Sequence, residues 1–251
     1  MTMKTNGKFT GKVAFVTGGS RGIGEAIARR LAEEGAAVAF TYASAQEKAD
    51  RLAKDIEAGG GRALALRADG ADGEAVKRAV AEAAAKLGRI NILVNNAGLL
   101  DVKPYDAFTL DEFDRMVAVN VRAVFAAVQA AAPEMGEGDR IITIGSVNAD
   151  ASGFAGMSLY SMTKAAVAGM TRGLARDLSP RGITVNNVQP GPVDTDMNPA
   201  EGPFADFLRT LMAGGRYGKP AEIAAFVAYL ASPEAGYITG ASLDINGGFM
   251  I

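Results

Sequence analysis

Val13-Ala14-Phe15-Val16-Thr17-Gly18-Gly19-Ser20-Arg21-Gly22-Ile23-Gly24 decides the fold: a short apolar run breaks into a glycine-rich turn and then into helical spacing. Val13 to Thr17 reads as a buried strand. Ile23, Ile27 and Leu31 recur four apart and give the following helix, Ile23 to Glu34, one apolar face. A strand, a glycine turn and a helix in that order let the backbone approach a pyrophosphate, and the helix N-terminus offers unpaired N–H groups to it. The spacing is G-x-x-x-G-x-G, not the G-x-G-x-x-G of the general dinucleotide fingerprint, and a glycine turn here can also be purely structural.

Outward from that stretch the pattern repeats. Ala37 to Tyr42, Ala63 to Leu66, Ile90 to Val94, Ile141 to Ile144, Ile183 to Val188 and Ser242 to Ile245 read as further strands. Between them Gln46 to Glu57, Glu74 to Leu87, Leu110 to Ala131, Tyr160 to Leu178, Phe204 to Met212 and Ala221 to Ala231 read as helices. The long helix is expected to end near Pro133. Seven strands alternating with helices predict an α/β fold: one doubly wound parallel sheet in a three-layer α/β/α domain spanning 1–251, with no linker dividing it. Ligands of such sheets bind beyond the carboxyl ends of the strands, where the unusual residues of this chain lie.

Composition narrows the chemistry. The 251 residues contain no cysteine and no histidine, which removes disulfides, thiolate and imidazole metal ligands, and the commonest general base. Acid–base work falls to Tyr, Lys, Asp or Glu. A net charge of −2 gives no basic footprint for a nucleic-acid polymer. The sequence contains no unbroken apolar run of membrane-spanning length, and Met1 to Thr10 is polar. These point to a cytoplasmic protein that needs no membrane and no metal.

The end of the second strand bears on the cofactor. Sites for NAD place an acid there, on the ribose 2′-hydroxyl. Here the chain reads Phe40-Thr41-Tyr42-Ala43-Ser44. The missing carboxylate admits a 2′-phosphate, Arg21 can pair with it, and the Ser44 hydroxyl can bond it, so the expected cofactor is NADP(H).

Tyr160 and Lys164 lie one helical turn apart and project from one face. A cation near a phenol favours the phenolate and lowers a pKa that is ordinarily about 10. Ser146 follows the fifth strand in Gly145-Ser146-Val147-Asn148, where its hydroxyl can bond a substrate oxygen or cap a turn. Asn120 sits in the long helix, either holding an ordered water or serving as an interior hydrogen bonder.

Together, Thr17-Gly18-x-x-x-Gly22-x-Gly24, Asn95-Asn96-Ala97-Gly98, Asn120, Ser146, Tyr160-x-x-x-Lys164 and Pro190-Gly191 resemble the short-chain dehydrogenase/reductase family over nearly the whole chain. The resemblance implies a Rossmann-type sheet in the order 3-2-1-4-5-6-7 and a catalytic tetrad of Asn120, Ser146, Tyr160 and Lys164. Tyr160 would be the proton donor in reduction and Ser146 would orient the carbonyl. Lys164 would also hold the nicotinamide ribose, and Asn120 would support a proton-relay water. The implied cofactor contacts are Gly18, Ser20, Arg21, Gly22, Ile23, Gly24, Tyr42, Ala43, Ser44, Asp69, Gly70, Asn96, Ala97, Gly98, Tyr160, Lys164, Pro190, Gly191, Val193 and Thr195. The resemblance further implies a homotetramer built on the helices around Leu110 to Ala131 and Tyr160 to Leu178.

The resemblance implies a small-molecule carbonyl or alcohol as substrate. Its pocket is expected from Leu99 to Phe108, Val147 to Leu159 and Asp194 to Gly215, the last a lid. Candidate apolar liners are Phe154, Met157, Leu159, Met197, Phe204, Phe207, Leu208 and Met212. The chain is similar to 3-oxoacyl-acyl-carrier-protein reductases, although Glu134, Glu137 and Asp139 put acid on the turn before strand five. Arg172, Arg176 and Arg181 are the charges available against an acidic carrier. Gly145 to Asn148, Gly173-Leu174-Ala175-Arg176-Asp177 and Gln189 to Ala200 also resemble a subgroup of cyclic-di-GMP-binding oxidoreductases. On that resemblance the alternative role is a regulator that binds the dinucleotide. The apolar Phe249-Met250-Ile251 end is expected to pack against a neighbouring subunit or onto its own.

Overall fold

The computed structural model describes residues 7–249. Seven strands form one sheet in the order β3-β2-β1-β4-β5-β6-β7, and every pairing is parallel. They are β1 Val13–Val16, β2 Ala37–Tyr42, β3 Arg62–Arg67, β4 Ile92–Asn95, β5 Arg140–Ile144, β6 Thr184–Pro190 and β7 Ser242–Ile245. Both the class and the strand order agree with expectation. β4 and β6 start and end later than their apolar runs, because polar residues such as Asn95 and Gln189 continue the ladder where the ligand crevice begins.

The central strands are buried throughout because helices cover both faces of a parallel sheet. Alternation along β1 sorts the core: Ala14 and Val16 join one cluster, and Val13 and Phe15 the other. On the first face lie α1 (Gly22–Glu33), α2 (Gln46–Ala58) and α8 (Pro220–Ala231), which bury Ile27, Leu31, Leu52, Ile223 and Val227. On the second lie α3 (Gly73–Leu87), α5 (Ala123–Ala131) and α6 (Ser158–Leu178), which bury Val76, Val80, Ala127, Val128 and Leu178. Each fully buried side chain of the size of Phe15 or Phe40 contributes about 1.5–3 kcal/mol.

The long helix expected over Leu110 to Ala131 is not uniform. It opens as α4 (Leu110–Val117) behind a Thr109–Glu112 capping box. It then widens into a π turn, Ala118–Arg122, before continuing as α5 and ending in a 3₁₀ turn at Ala132–Glu134. The combined helical run Leu110–Glu134 is long and apolar enough to cross a membrane, but 61% of its apolar 18-residue stretch is buried inside the protein. α7 (Pro203–Thr210) closes two residues earlier than expected, at the turn that starts with Leu211.

Two sequence readings change with burial. Asp139 is fully buried, paired with Arg89 and bonded by Asn91 Nδ2 and the Gly136 N–H at 2.9 Å, so it adds nothing to an acidic surface. Arg181 donates to the carbonyls of Ala132, Pro133 and Met135, which ties it to the end of the preceding helix rather than to a docking face. Phe249 folds onto its own subunit, bridged to Met212 and packed beneath α7. Met250 and Ile251, and Met1 to Asn6, lie outside the described residues.

Candidate active site

The parallel register brings the carboxyl ends of β1, β2, β4, β5 and β6 to one edge, and the chain reverses direction across the sheet between β1 and β4. The glycine turn is built there from both sides. Thr17 Oγ1 accepts the N–H groups of Asn96 and Ala97 at 2.9 and 3.0 Å, and Asn96 Nδ2 donates to the carbonyls of Thr17 and Gly18, each at 3.0 Å. The Gly18 N–H donates to Thr41 Oγ1 at 3.0 Å, with Gly18 at φ 64°. At Gly24 a Cβ would lie 2.3 Å from the Gly18 carbonyl oxygen and 2.4 Å from Asn96 Nδ2, so only hydrogen fits between helix and turn. Arg21 precedes α1 without capping it by its side chain, which leaves the first-turn N–H groups open to an anion. Asn96 thus lines the crevice while its side-chain amide serves the turn.

One cavity of about 460 Å³ runs from this turn over the sheet edge. All the expected cofactor positions line it: Gly18, Ser20 to Gly24, Tyr42 to Ser44, Asp69, Gly70, Asn96 to Gly98, Tyr160, Lys164, Pro190, Gly191, Val193 and Thr195. Lys48, unforeseen, lines it too, one turn beyond Ser44 on α2, and pairs with Asp196 at 2.6 Å across the crevice mouth. That ammonium holds the Asp196 carboxyl below its usual range. Its position four residues after Ser44 on a helical pattern was the available signal. Arg21, Lys48, Arg29 and Arg51 share a small cleft beside the same mouth, together with Glu25 and Asp196.

Ser146, Tyr160 and Lys164 meet at the opposite end of the cavity. Lys164 is buried, donates to the Ile144 carbonyl at 2.9 Å and lies 5.5 Å from the centre of the Tyr160 ring. Burial pushes the Tyr160 phenol up to about 12 and is opposed by a hydrogen bond with Ser146; burial also pushes the Lys164 ammonium down to about 8. The expectation that the cation would dominate and lower the phenol is therefore corrected: burial is the larger effect, and what opposes it is the Ser146 hydrogen bond rather than Lys164. Tyr160 is a neutral donor at neutral pH.

Asn120 stands behind these three residues rather than in the cavity wall. Its Oδ1 accepts the Leu99 N–H at 2.7 Å, and its Nδ2 donates to the Leu99 carbonyl at 2.9 Å and to Thr163 Oγ1 at 3.0 Å. It lies in the π turn, a local geometry that recurs at functional sites. Asn148, expected as part of the Val147 to Leu159 pocket segment, lines the cavity, and its bond to Ser146 was not foreseen.

At the substrate end Phe154, Met157, Met197, Phe204 and Leu208 line the cavity as expected, joined by Val102 and Phe249. Phe154 meets Phe204 edge-on at 5.4 Å and Phe207 at 6.1 Å. Leu159 and Met212 are core, and Phe207 backs the aromatic pair without reaching the cavity.

A family profile described as enoyl-(acyl carrier protein) reductase matches residues 18–250. A cyclic-di-GMP-binding biofilm dispersal mediator protein of Escherichia coli is 49% identical over 97% of this chain and 99% of its own length. A 3-oxoacyl-[acyl-carrier-protein] reductase, FabG, of Staphylococcus aureus is 40% identical over 94% of this chain and 97% of its own. A short-chain dehydrogenase of Burkholderia cenocepacia, solved in complex with NADP, superposes with a TM-score of 0.95 at 54% identity, covering 96% of this chain and 98% of that one. The chain belongs to the short-chain dehydrogenase/reductase family, a family of oxidoreductases acting on carbonyl and alcohol groups.

Proposed function

We propose that this protein reduces a neutral, apolar ketone to an alcohol with NADPH. The observation that carries the reading is a single cavity whose walls include the glycine turn at one end and Ser146, Tyr160 and Lys164 at the other. The residues fit a 2′-phosphorylated cofactor: the end of β2 has no acid, and Arg21 and Lys48 border the crevice beside Ser44. Bound NADPH would supply the hydride. The open N–H groups at the start of α1 would take its pyrophosphate, Arg21, Ser44 and Lys48 its 2′-phosphate, and Lys164 its nicotinamide ribose.

The chain's own chemistry is proton transfer and orientation. Tyr160 donates its phenolic proton to the carbonyl oxygen, and Ser146 bonds that oxygen as charge develops. Lys164, charged below about pH 8, steadies the phenolate left behind. Asn120 fixes the Leu99 backbone beside the site and leaves the π-turn carbonyls to hold a relay water. Lys164 is the charged side chain at this end among the described residues; the other charged liners, Arg21, Lys48, Asp69, Arg115 and Asp196, border the cofactor end. An uncharged, apolar substrate suits such a wall, under a lid over 194–215. A panel of ketones, 3-oxoacyl thioesters, quinones and sugars followed by NADPH absorbance should show turnover greatest with apolar ketones. No turnover of any would overturn the reading.

A second reading is cyclic-di-GMP binding without turnover. It is favoured by the 49% identity to the dispersal mediator and by the basic cleft of Arg21, Arg29, Lys48 and Arg51. Calorimetric titration with cyclic-di-GMP, with and without NADPH, separates the two. We also propose a homotetramer, supported by Phe113, Phe125 and Met162, which are 38–49% exposed on α4, α5 and α6.

A further inference from the structure

A serine hydroxyl has one proton to give and two lone pairs with which to accept. At Ser146 both lone pairs are engaged by one residue: Asn148 donates its backbone N–H at 3.1 Å and its Nδ2 at 3.2 Å to Ser146 Oγ. The Ser146 proton is then left to point away from Asn148, toward the side where Tyr160 and the cavity lie. We infer that Asn148 is a positioning residue for carbonyl reduction, which fills the acceptor side of Ser146 and so aims the Ser146 proton at the substrate oxygen. The inference rests on the carbonyl-reductase reading above.

The local chain explains why one residue can do both. Ser146 is extended and starts the 3₁₀ turn Val147–Ala149, which folds the N–H of Asn148 back onto the hydroxyl. Any residue at 148 would supply that backbone donor. The side-chain amide is the specific addition, because it closes the second lone pair and removes the alternative rotamers of the hydroxyl. Asn148 Oδ1, by contrast, is buried with no hydrogen-bond partner among the described residues. An amide turned the other way would satisfy that oxygen by taking the Ser146 proton and withdrawing it from the substrate. The observed orientation leaves the asparagine oxygen bare and keeps the serine proton on the cavity side, where Tyr160 lies. A donor already aimed where charge develops needs no reorganisation in the transition state.

Steady-state kinetics with NADPH and the best ketone of the panel test this. Asn148→Ala should lower kcat about tenfold with the KM for NADPH unchanged. Asn148→Asp keeps the shape, but an ionised carboxylate only accepts, so it captures the Ser146 proton and should lower kcat about a hundredfold. In a Ser146→Ala background both losses should shrink to within about twofold, since residue 148 then has no hydroxyl to act through. An Asn148→Ala loss that persists undiminished in that background, or an Asn148→Asp enzyme as fast as wild type, overturns the inference. A neutron structure of the wild-type NADP⁺ complex reads the same point without turnover. The deuteron on Ser146 Oγ is expected to point into the cavity, and a deuteron directed at Asn148 Oδ1 overturns the assignment. A protein that reduces no carbonyl compound overturns the activity reading, while the deuteron position still decides the Ser146 orientation.

Discussion

On the proposed mechanism, Tyr160 would be useful because it is reluctant to ionise. A phenol pushed up to about 12 keeps its proton until a carbonyl oxygen acquires charge beside it. Tyr160→Phe removes one oxygen and leaves the ring packing, so kcat should fall by about 10²–10⁴ with little change in NADPH affinity, read by steady-state assay and by cofactor fluorescence titration. Lys164 carries a stability cost with a definite sign. Its folded pKa, about 8, lies below a lysine's ordinary 10.5, so the unfolded chain binds more protons between those values and stability rises with pH through that window. Below pH 8 the buried ammonium's full penalty is present. Urea unfolding of wild type against Lys164→Met should show the wild type gaining on the variant from pH 7 to pH 10. A constant difference would mean that the ammonium is not desolvated. Tyr160 and Lys164 were both legible in the sequence as a one-turn pair. The outcome of their contest with burial was not, because desolvation depends on residues that approach from other elements.

At the scale of elements, the glycine turn is a joint between three chain segments rather than a flexible loop. Thr17, Thr41 and Asn96 hold it, and Gly24 lets α1 come down onto it. Gly24→Ala places a methyl carbon where the Gly18 carbonyl and the Asn96 amide already stand. It should cost about 1–3 kcal/mol in urea unfolding and weaken NADPH binding more than tenfold, since the turn must open to admit it. Unchanged NADPH affinity would show that the turn does not shape the cofactor site. The pattern of glycines announced this joint, but its clamp did not show: Asn96 lies 79 residues from Thr17, and only the β1–β4 pairing brings them together. The π turn was likewise invisible, because its residues, Ala118 to Arg122, have the periodicity of the helix they interrupt.

Across the whole molecule, the far edge of the sheet is pinned by charge that no cavity uses. Asp139 is fully buried at the start of β5 and gathers Arg89, Asn91 and the Gly136 N–H into one knot. Asp139→Ala would leave Asn91 Nδ2 and the Gly136 N–H without their acceptor, at about 1–3 kcal/mol, while the half-exposed Arg89 turns to water. Guanidinium unfolding should show that loss while kcat of the folded protein stays near wild type, because the knot lies at the amino ends of the strands, opposite the crevice. A small loss would show that water reaches the knot.

The linear chain set the layers, the strand order's family resemblance and the residues that meet at the crevice, because apolar periodicity and glycine turns are short-range properties legible within a dozen positions. Folding in three dimensions settled which neighbours share a hydrogen bond and which charges lose their water. It put Asn120 behind the wall and Asn148 against Ser146, buried Asp139 and drew Phe249 beneath α7. Burial and hydrogen-bond partnership depend on packing between distant segments, and no spacing along one segment encodes them.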